Sequence, residues 1–219
     1  MVPLRRTHRT TCILPLSSQA APYTAKMTKS IETTSARPVN VMFVCLGNIC
    51  RSTMAEGVFR NMVASSNSPL VGEIDSSGTG AYHAGDSPDS RTMSTLRRHG
   101  IKNYSHYAQK ITKEDFLKFD YLLAMDEWNL SDLLEVRESM LTSSRKSGTV
   151  PAAKVAEVRL FGDFGPGGKL HDNVGGGETV RDPYYGGANG FEEVYHQVTR
   201  FSKNFLDYLE KQKSTATAE

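Results

Sequence analysis

The chain has 219 residues, 38% of them hydrophobic, and a formal net charge of +2, which suits one domain of common size with residues to spare. Near-balanced charge gives no electrostatic case for nucleic acid, and no run of 18 apolar residues exists to span a membrane. Three cysteines, Cys12, Cys45 and Cys50, are too few for a disulfide scaffold and point to a reducing, intracellular setting.

Residues 1–37 differ in composition from the rest of the chain. They are rich in Ser and Thr, carry Arg5, Arg6, Arg9, Lys26 and Lys29, and hold no acid before Glu32. That composition is like a transit peptide, and it lacks the apolar centre of a secretory signal. The segment reads as a disordered or targeting extension, with Met27 as an alternative start. It leaves a domain over 38–213 and a disordered tail over 214–219. A cytoplasmic location is expected, with mitochondrial targeting as the alternative.

Val39–Val44 is a short apolar run rich in β-branched residues, which predicts a buried parallel strand. A helix follows from near Ser52, with Thr53 and Glu56 spaced as a capping box. The next strand falls near Glu73–Ser76. A second helix lies in "PDSRTMSTLRRHG", with Pro88 in its first turn and Gly100 past its end.

"FDYLLAMD" at 119–126 predicts a third strand, and Asp126 a cap for a helix through "EWNLSDLLEVRESM". Residues 141–154 read as an exposed connection. "VAEVRLF" at 155–161 predicts a fourth strand. Residues 162–178 hold seven glycines and read as a mobile loop. A last helix over Phe191–Lys211 places Phe191, Val194, Tyr195, Val198, Phe201, Phe205 and Leu209 on one side. Strands alternating with helices give an α/β domain with a parallel sheet.

The stretch "VMFVCLGNICRSTMAEGVFR" carries the chemistry. The first strand of an α/β sheet delivers its C-terminal end to the ligand crevice, and Cys45 leaves that strand. Gly47 permits a tight turn. Loop 46–51 then aims backbone N–H groups at one point, with the positive end of a helix dipole behind them, which makes an anion site. The Walker pattern is absent; an arginine, Arg51, closes the loop. A guanidinium grips two phosphate oxygens in a planar fork, which an ammonium cannot do. A helix N-terminus, a cation and donated hydrogen bonds all favour a thiolate, so Cys45 is placed to attack phosphorus. The Ser52 hydroxyl is in position to donate to the sulfur. Against this stands the bland reading, a buried cysteine at a strand end followed by a chance Cys-x5-Arg.

At these residues the sequence resembles the low-molecular-weight protein tyrosine phosphatases, or acid phosphatases, of eukaryotic type. Their signature V-C-[LI]-G-N-[IT]-C-R-S-P reads here "VCLGNICRST", and their Asp-Pro-Tyr-Tyr reads "RDPYYGG" at 181–187. "IDSSGTGAYHAGDSPDSRT", "HGI", "ITKEDFLKFDYLLAMDEWNL" and "FEEVYHQV" extend the likeness over about 39–212. The resemblance implies a three-layer α/β/α fold with four parallel strands in the order 2-1-3-4.

It also implies roles. Cys45 would form a phosphocysteine, Arg51 would bind the phosphoryl oxygens, and Asp182 would act as general acid, then base. Leu46, Gly47, Asn48, Ile49, Cys50 and Ser52 would form the phosphate loop, with Leu46 in the pocket floor and His106 supporting Asn48. Tyr82 and Tyr184 would wall the ring of the substrate. By composition alone Asp182 is a turn residue before Pro183; only the family motif makes it the acid.

The implied substrates are phosphotyrosine-containing proteins or small aryl phosphates, with inorganic phosphate as product inhibitor, no cofactor and no metal. The six histidines lack paired spacing for zinc. A monomer or weak dimer is expected. Relatives that act on phosphoarginine carry Thr at Ile49, so Ile49 points toward phosphotyrosine. A Cys45–Cys50 disulfide would protect the nucleophile reversibly, and Tyr184 and Tyr185 would be phosphorylation targets. Departures from the family are Thr53 for Pro, Gln109 for Arg, His83 beside the pocket, and the long 162–178 loop. An arsenate reductase of the same fold would need downstream cysteines, and none follows Cys50. The remaining alternative is an inactive phosphotyrosine binder, against which Cys45, Arg51 and Asp182 all stand.

Overall fold

A computed structural model describes residues 37–147, 154–185 and 189–216. The extension over 1–36, residues 148–153 of the expected connection and residues 217–219 of the expected tail lie outside the described residues. Strands β1 (Val39–Cys45), β2 (Val71–Gly78), β3 (Tyr121–Ala124) and β4 (Glu157–Leu160) form one parallel sheet in the order β2-β1-β3-β4. Helices α1 (Arg51–Ser66), α2 (Ser90–Arg98) and α5 (Gly190–Ala216) supply one layer, and α3 (Asp115–Lys118) and α4 (Glu127–Ser147) the other. This is the expected three-layer arrangement.

Alternation along β1 divides the core. Val41, Phe43 and Cys45 face one apolar layer, and Met42 and Val44 face the other, as the two-residue period of a strand requires. Phe43 packs edge-on against Phe59 of α1 and Phe161, at centroid distances of 5.5 and 5.0 Å. Phe205 of α5 meets Phe59 and Phe164. All five rings are fully buried, so the helices that carry the site stand on a rigid aromatic floor.

Several expectations are corrected. Thr53 and Glu56 do not form a capping box. Cys50 occupies the N-cap of α1 without a side-chain cap bond, and Thr53 Oγ1 donates back to the Cys50 carbonyl at 3.0 Å. Glu56 is drawn inward by Ser76, Tyr104 and Arg60. Pro88 precedes the N-cap of α2, which is Asp89; its carboxylate accepts from Arg91 N. Gly100 does follow the helix, with φ of 83°. Helix α4 continues to Ser147 through residues read as a connection. Helix α5 passes residue 213 to reach Ala216, and Arg37 already pairs with Asp120.

The glycine-rich stretch is a built element. Phe164–Gly165 (β5) pairs antiparallel with Lys169–Leu170 (β6). Buried Asp163 accepts from the amides of Leu160, Gly175 and Gly177 at 3.1, 2.9 and 2.9 Å. Gly162 must be glycine, because a Cβ there would lie 2.0 Å from the Glu178 carbonyl oxygen. The carboxylate substitutes for the backbone partners that a regular element would supply. The segment thus delivers Val180, and with it Asp182, to a fixed place beside β3: Val180 N donates to Met125 O at 2.7 Å.

Candidate active site

The site forms where the chain leaves β1, between strands whose crossings pass to opposite faces of the sheet. Loop 46–50 is held from outside. The carbonyls of Cys45, Leu46 and Ile49 accept from Thr79, Gly80 and Asp89 N at 2.9, 2.9 and 2.8 Å, and that of Cys50 from Met54 N in α1. A trans peptide turns the following N–H opposite to its carbonyl. The amides of Leu46, Gly47, Cys50 and Arg51 are thereby turned toward the loop's centre. Gly78 lets β2 come this close; a Cβ there would lie 2.6 Å from the Leu46 carbonyl oxygen.

Asn48 sits at φ 56°, a left-handed conformation that costs a non-glycine residue about 1–3 kcal/mol. Its buried side chain offsets this. Asn48 Nδ2 donates to Ser52 Oγ and Ser76 Oγ, both at 2.9 Å, and Oδ1 accepts from Gln109 N at 2.8 Å and pairs with His106 Nε2 at 2.8 Å. His106 Nδ1 lies 3.3 Å from Glu56. Burial raises the Glu56 carboxyl above its usual range, opposed by the Ser76 hydrogen bond and the His106 charge.

Cys45 Sγ receives Asn48 N at 3.2 Å and lies 3.1 Å from Ser52 Oγ. Arg51 is buried at the loop's far end. Its Nη1 is bonded to Asp126 and reaches the Val180 carbonyl at 3.5 Å, while Nη2 lies 3.7 Å from Asp182 Oδ2. Asp126 also caps α4 by accepting from Asn129 N at 2.8 Å. The cap reading of Asp126 was correct but incomplete: the same carboxylate fixes the guanidinium plane.

Asp182 is half-exposed and accepts from Tyr184 N at 3.0 Å. Arg91 anchors this turn. It forks onto Asp89, donates to the Tyr184 carbonyl at 3.2 Å and covers the Tyr184 and Phe191 rings. Cys45, Leu46, Gly47, Ile49, Cys50, Arg51, Tyr82, His83, Asp182, Tyr184 and Tyr185 line one cavity of about 210 Å³. Asn48, Ser52 and His106 stand behind it. His83 and Tyr185 join the wall.

Cys45 and Cys50 are free thiols. Burial, aided by the Asp89 carboxylate, pushes the Cys50 thiol up to about 12. Of the described clusters of metal-ligating groups, that of Glu56, Asp75 and His106 is taken up by hydrogen bonds: Glu56 to Ser76 and Tyr104, Asp75 to Ser76 and Gln109, and His106 to Asn48.

The family model described as "Low molecular weight phosphotyrosine protein phosphatase" matches residues 40–215. The chain belongs to this family.

A Homo sapiens relative named as a low molecular weight phosphotyrosine protein phosphatase is 44% identical over 77% of this chain and 94% of its own. Among solved structures, a protein tyrosine phosphatase from Entamoeba histolytica superposes with a TM-score of 0.62 at 30% identity, covering 80% of this chain and 99% of the other. A drosophila arginine phosphatase reaches 0.59 at 29%, covering 78% and 97%. In this family member, sequence reasoning missed Asp126 as a partner of Arg51, and Ser76, Glu56 and Tyr104 as the inner support of Asn48. Strand β2 reads VGEIDSSG, so no local pattern marks Ser76 as buried, and these partners come from elements distant in sequence.

Proposed function

We propose that this phosphatase hydrolyses phosphotyrosine and small aryl phosphates through a phosphocysteine. The observation that carries the reading is that Cys45, whose Sγ accepts from Asn48 N, lines one cavity with Arg51 and Asp182. The phosphoryl group sits over the sulfur with its equatorial oxygens on the amides and Arg51. Cys45 attacks phosphorus as the bridging P–O bond breaks. The electron pair leaves on the phenolic oxygen, which takes the proton of Asp182. Water then attacks the phosphocysteine and gives its proton to Asp182. The S–P bond breaks, releasing inorganic phosphate and the thiolate, which Ser52 stabilises.

Phosphoryl transfer asks mainly for positioning and charge neutralisation, and a preorganised ring of donors supplies both. This division leaves no step for a metal or cofactor. Inorganic phosphate, able to occupy the same ring, inhibits as product. The domain is taken as residues 38–213, extended by the helix to Ala216.

Two substrate classes are separable. The walls Tyr82, Tyr184 and Tyr185 fit a flat ring, and half-buried Ile49 packs against the core beneath it. Matched phosphotyrosine and phosphoarginine peptides, compared by phosphate release, test this. Phosphotyrosine is expected to be preferred, and Ile49→Thr to narrow the preference. Faster release from the phosphoarginine peptide by the unaltered chain refutes it.

A further inference from the structure

Away from the cavity, three donor groups meet where α2 ends and α5 begins. His99 is the C-cap residue of α2; Glu192 and His196 lie one turn apart on α5. The sequence showed no paired histidines, yet the fold brings two to one carboxylate. Glu192 Oε1 contacts His99 Nε2 and lies 3.6 Å from His196 Nε2. All three ligand atoms fall within 4.8 Å of one another.

We propose that His99, Glu192 and His196 form a binding site for a divalent transition-metal ion of the zinc class. Two imidazoles and a carboxylate are a borderline-soft donor set that suits zinc and its neighbours and not magnesium or calcium. An ion with bonds of about 2.0–2.2 Å holds its ligands roughly 3.4 Å apart, close to the His196–Glu192 separation. A small opening of the His99–Glu192 contact admits the ion. Glu and His four positions apart share a helix face, as metal-binding helices require.

The surroundings hold these ligands in place. The Tyr195 ring stacks on His99 with centroids 3.6 Å apart and fixes the imidazole plane. Arg98 Nη2 takes the other carboxylate oxygen, Oε2, at 2.9 Å, so Glu192 offers Oε1 while an outer partner orients it. The C-terminal end of α2 adds partial negative charge beside His99. The remaining coordination positions face solvent, since the imidazole of His196 is 67% exposed. Such an ion would staple α2 to the first turns of α5, the helix that comes after the loop bearing Asp182.

The test is titration of the full-length, untagged chain with Zn²⁺, and with Co²⁺ as a spectroscopic probe. One bound ion per chain is expected, with a raised melting temperature and a Co²⁺ spectrum free of thiolate charge transfer. His196→Gln and His99→Asn should each weaken binding about tenfold or more, since even loss of an outer partner costs that much. Exposed His196 can be replaced without loss of fold, which unchanged hydrolysis in chelated buffer verifies. Affinity unaltered in His196→Gln, a thiolate band pointing to Cys45, or no binding at all overturns the proposal.

Discussion

Cys45→Ser is expected to remove measurable turnover of para-nitrophenyl phosphate while phosphate binding, read by calorimetry, survives. A serine hydroxyl does not ionise near neutral pH without a base to activate it. Among the described residues, the hydrogen-bond partners of Cys45 Sγ are Asn48 N and Ser52 Oγ, which are donors or weak acceptors. The rest of the anion ring is untouched by the change, because its carbonyls are tied to Thr79, Gly80, Asp89 and Met54. Residual hydrolysis within about tenfold of the unaltered enzyme would show that the sulfur is not the nucleophile.

Asp182→Ala should lower kcat on aryl phosphates by about 10²–10⁴-fold, the usual worth of one positioned acid. The loss should be smallest for substrates whose leaving group departs readily, since these need the proton least. KM should stay level or fall, because Asp182 stands 3.7 Å from Arg51 Nη2 and its removal frees the guanidinium for phosphate. A fall in kcat and kcat/KM together marks an interaction made in the transition state. The half-exposed side chain carries little packing, so the variant should melt near the parent. Equal rates for good and poor leaving groups would point to a structural role.

The range of each interaction decides how legible it was in the sequence. The alternation of Val41, Phe43 and Cys45 against Met42 and Val44 is local, and so are the β1 strand and the loop after it. Strand order became legible once the family motifs were seen. Glu56 was misread because its partners, Ser76 and Tyr104, lie on other elements; a local Thr-x-x-Glu cannot reveal that burial wins over capping. Asp126 looked like a cap, and is one, but its bond to Arg51 joins the start of α1 to the turn after β3, 75 residues away. The glycines of 162–178 suggested mobility, whereas a single buried carboxylate, Asp163, ties the amides of Gly175 and Gly177 to that of Leu160. Histidine spacing did not show that His99 and His196 come together, because they meet at Glu192 only through the packing of α2 on α5.

The most direct test is to trap the covalent intermediate. Mixing Asp182→Ala with para-nitrophenyl phosphate keeps the first step fast through its good leaving group and slows the second, which also needs the carboxylate. Quenching within the first turnover and mapping the phosphoryl group by mass spectrometry should place it on the peptide bearing Cys45, with none in the Cys45→Ser chain. A phosphoryl group on another residue, or a nitrophenol burst with no phosphorylated sulfur, would contradict the account.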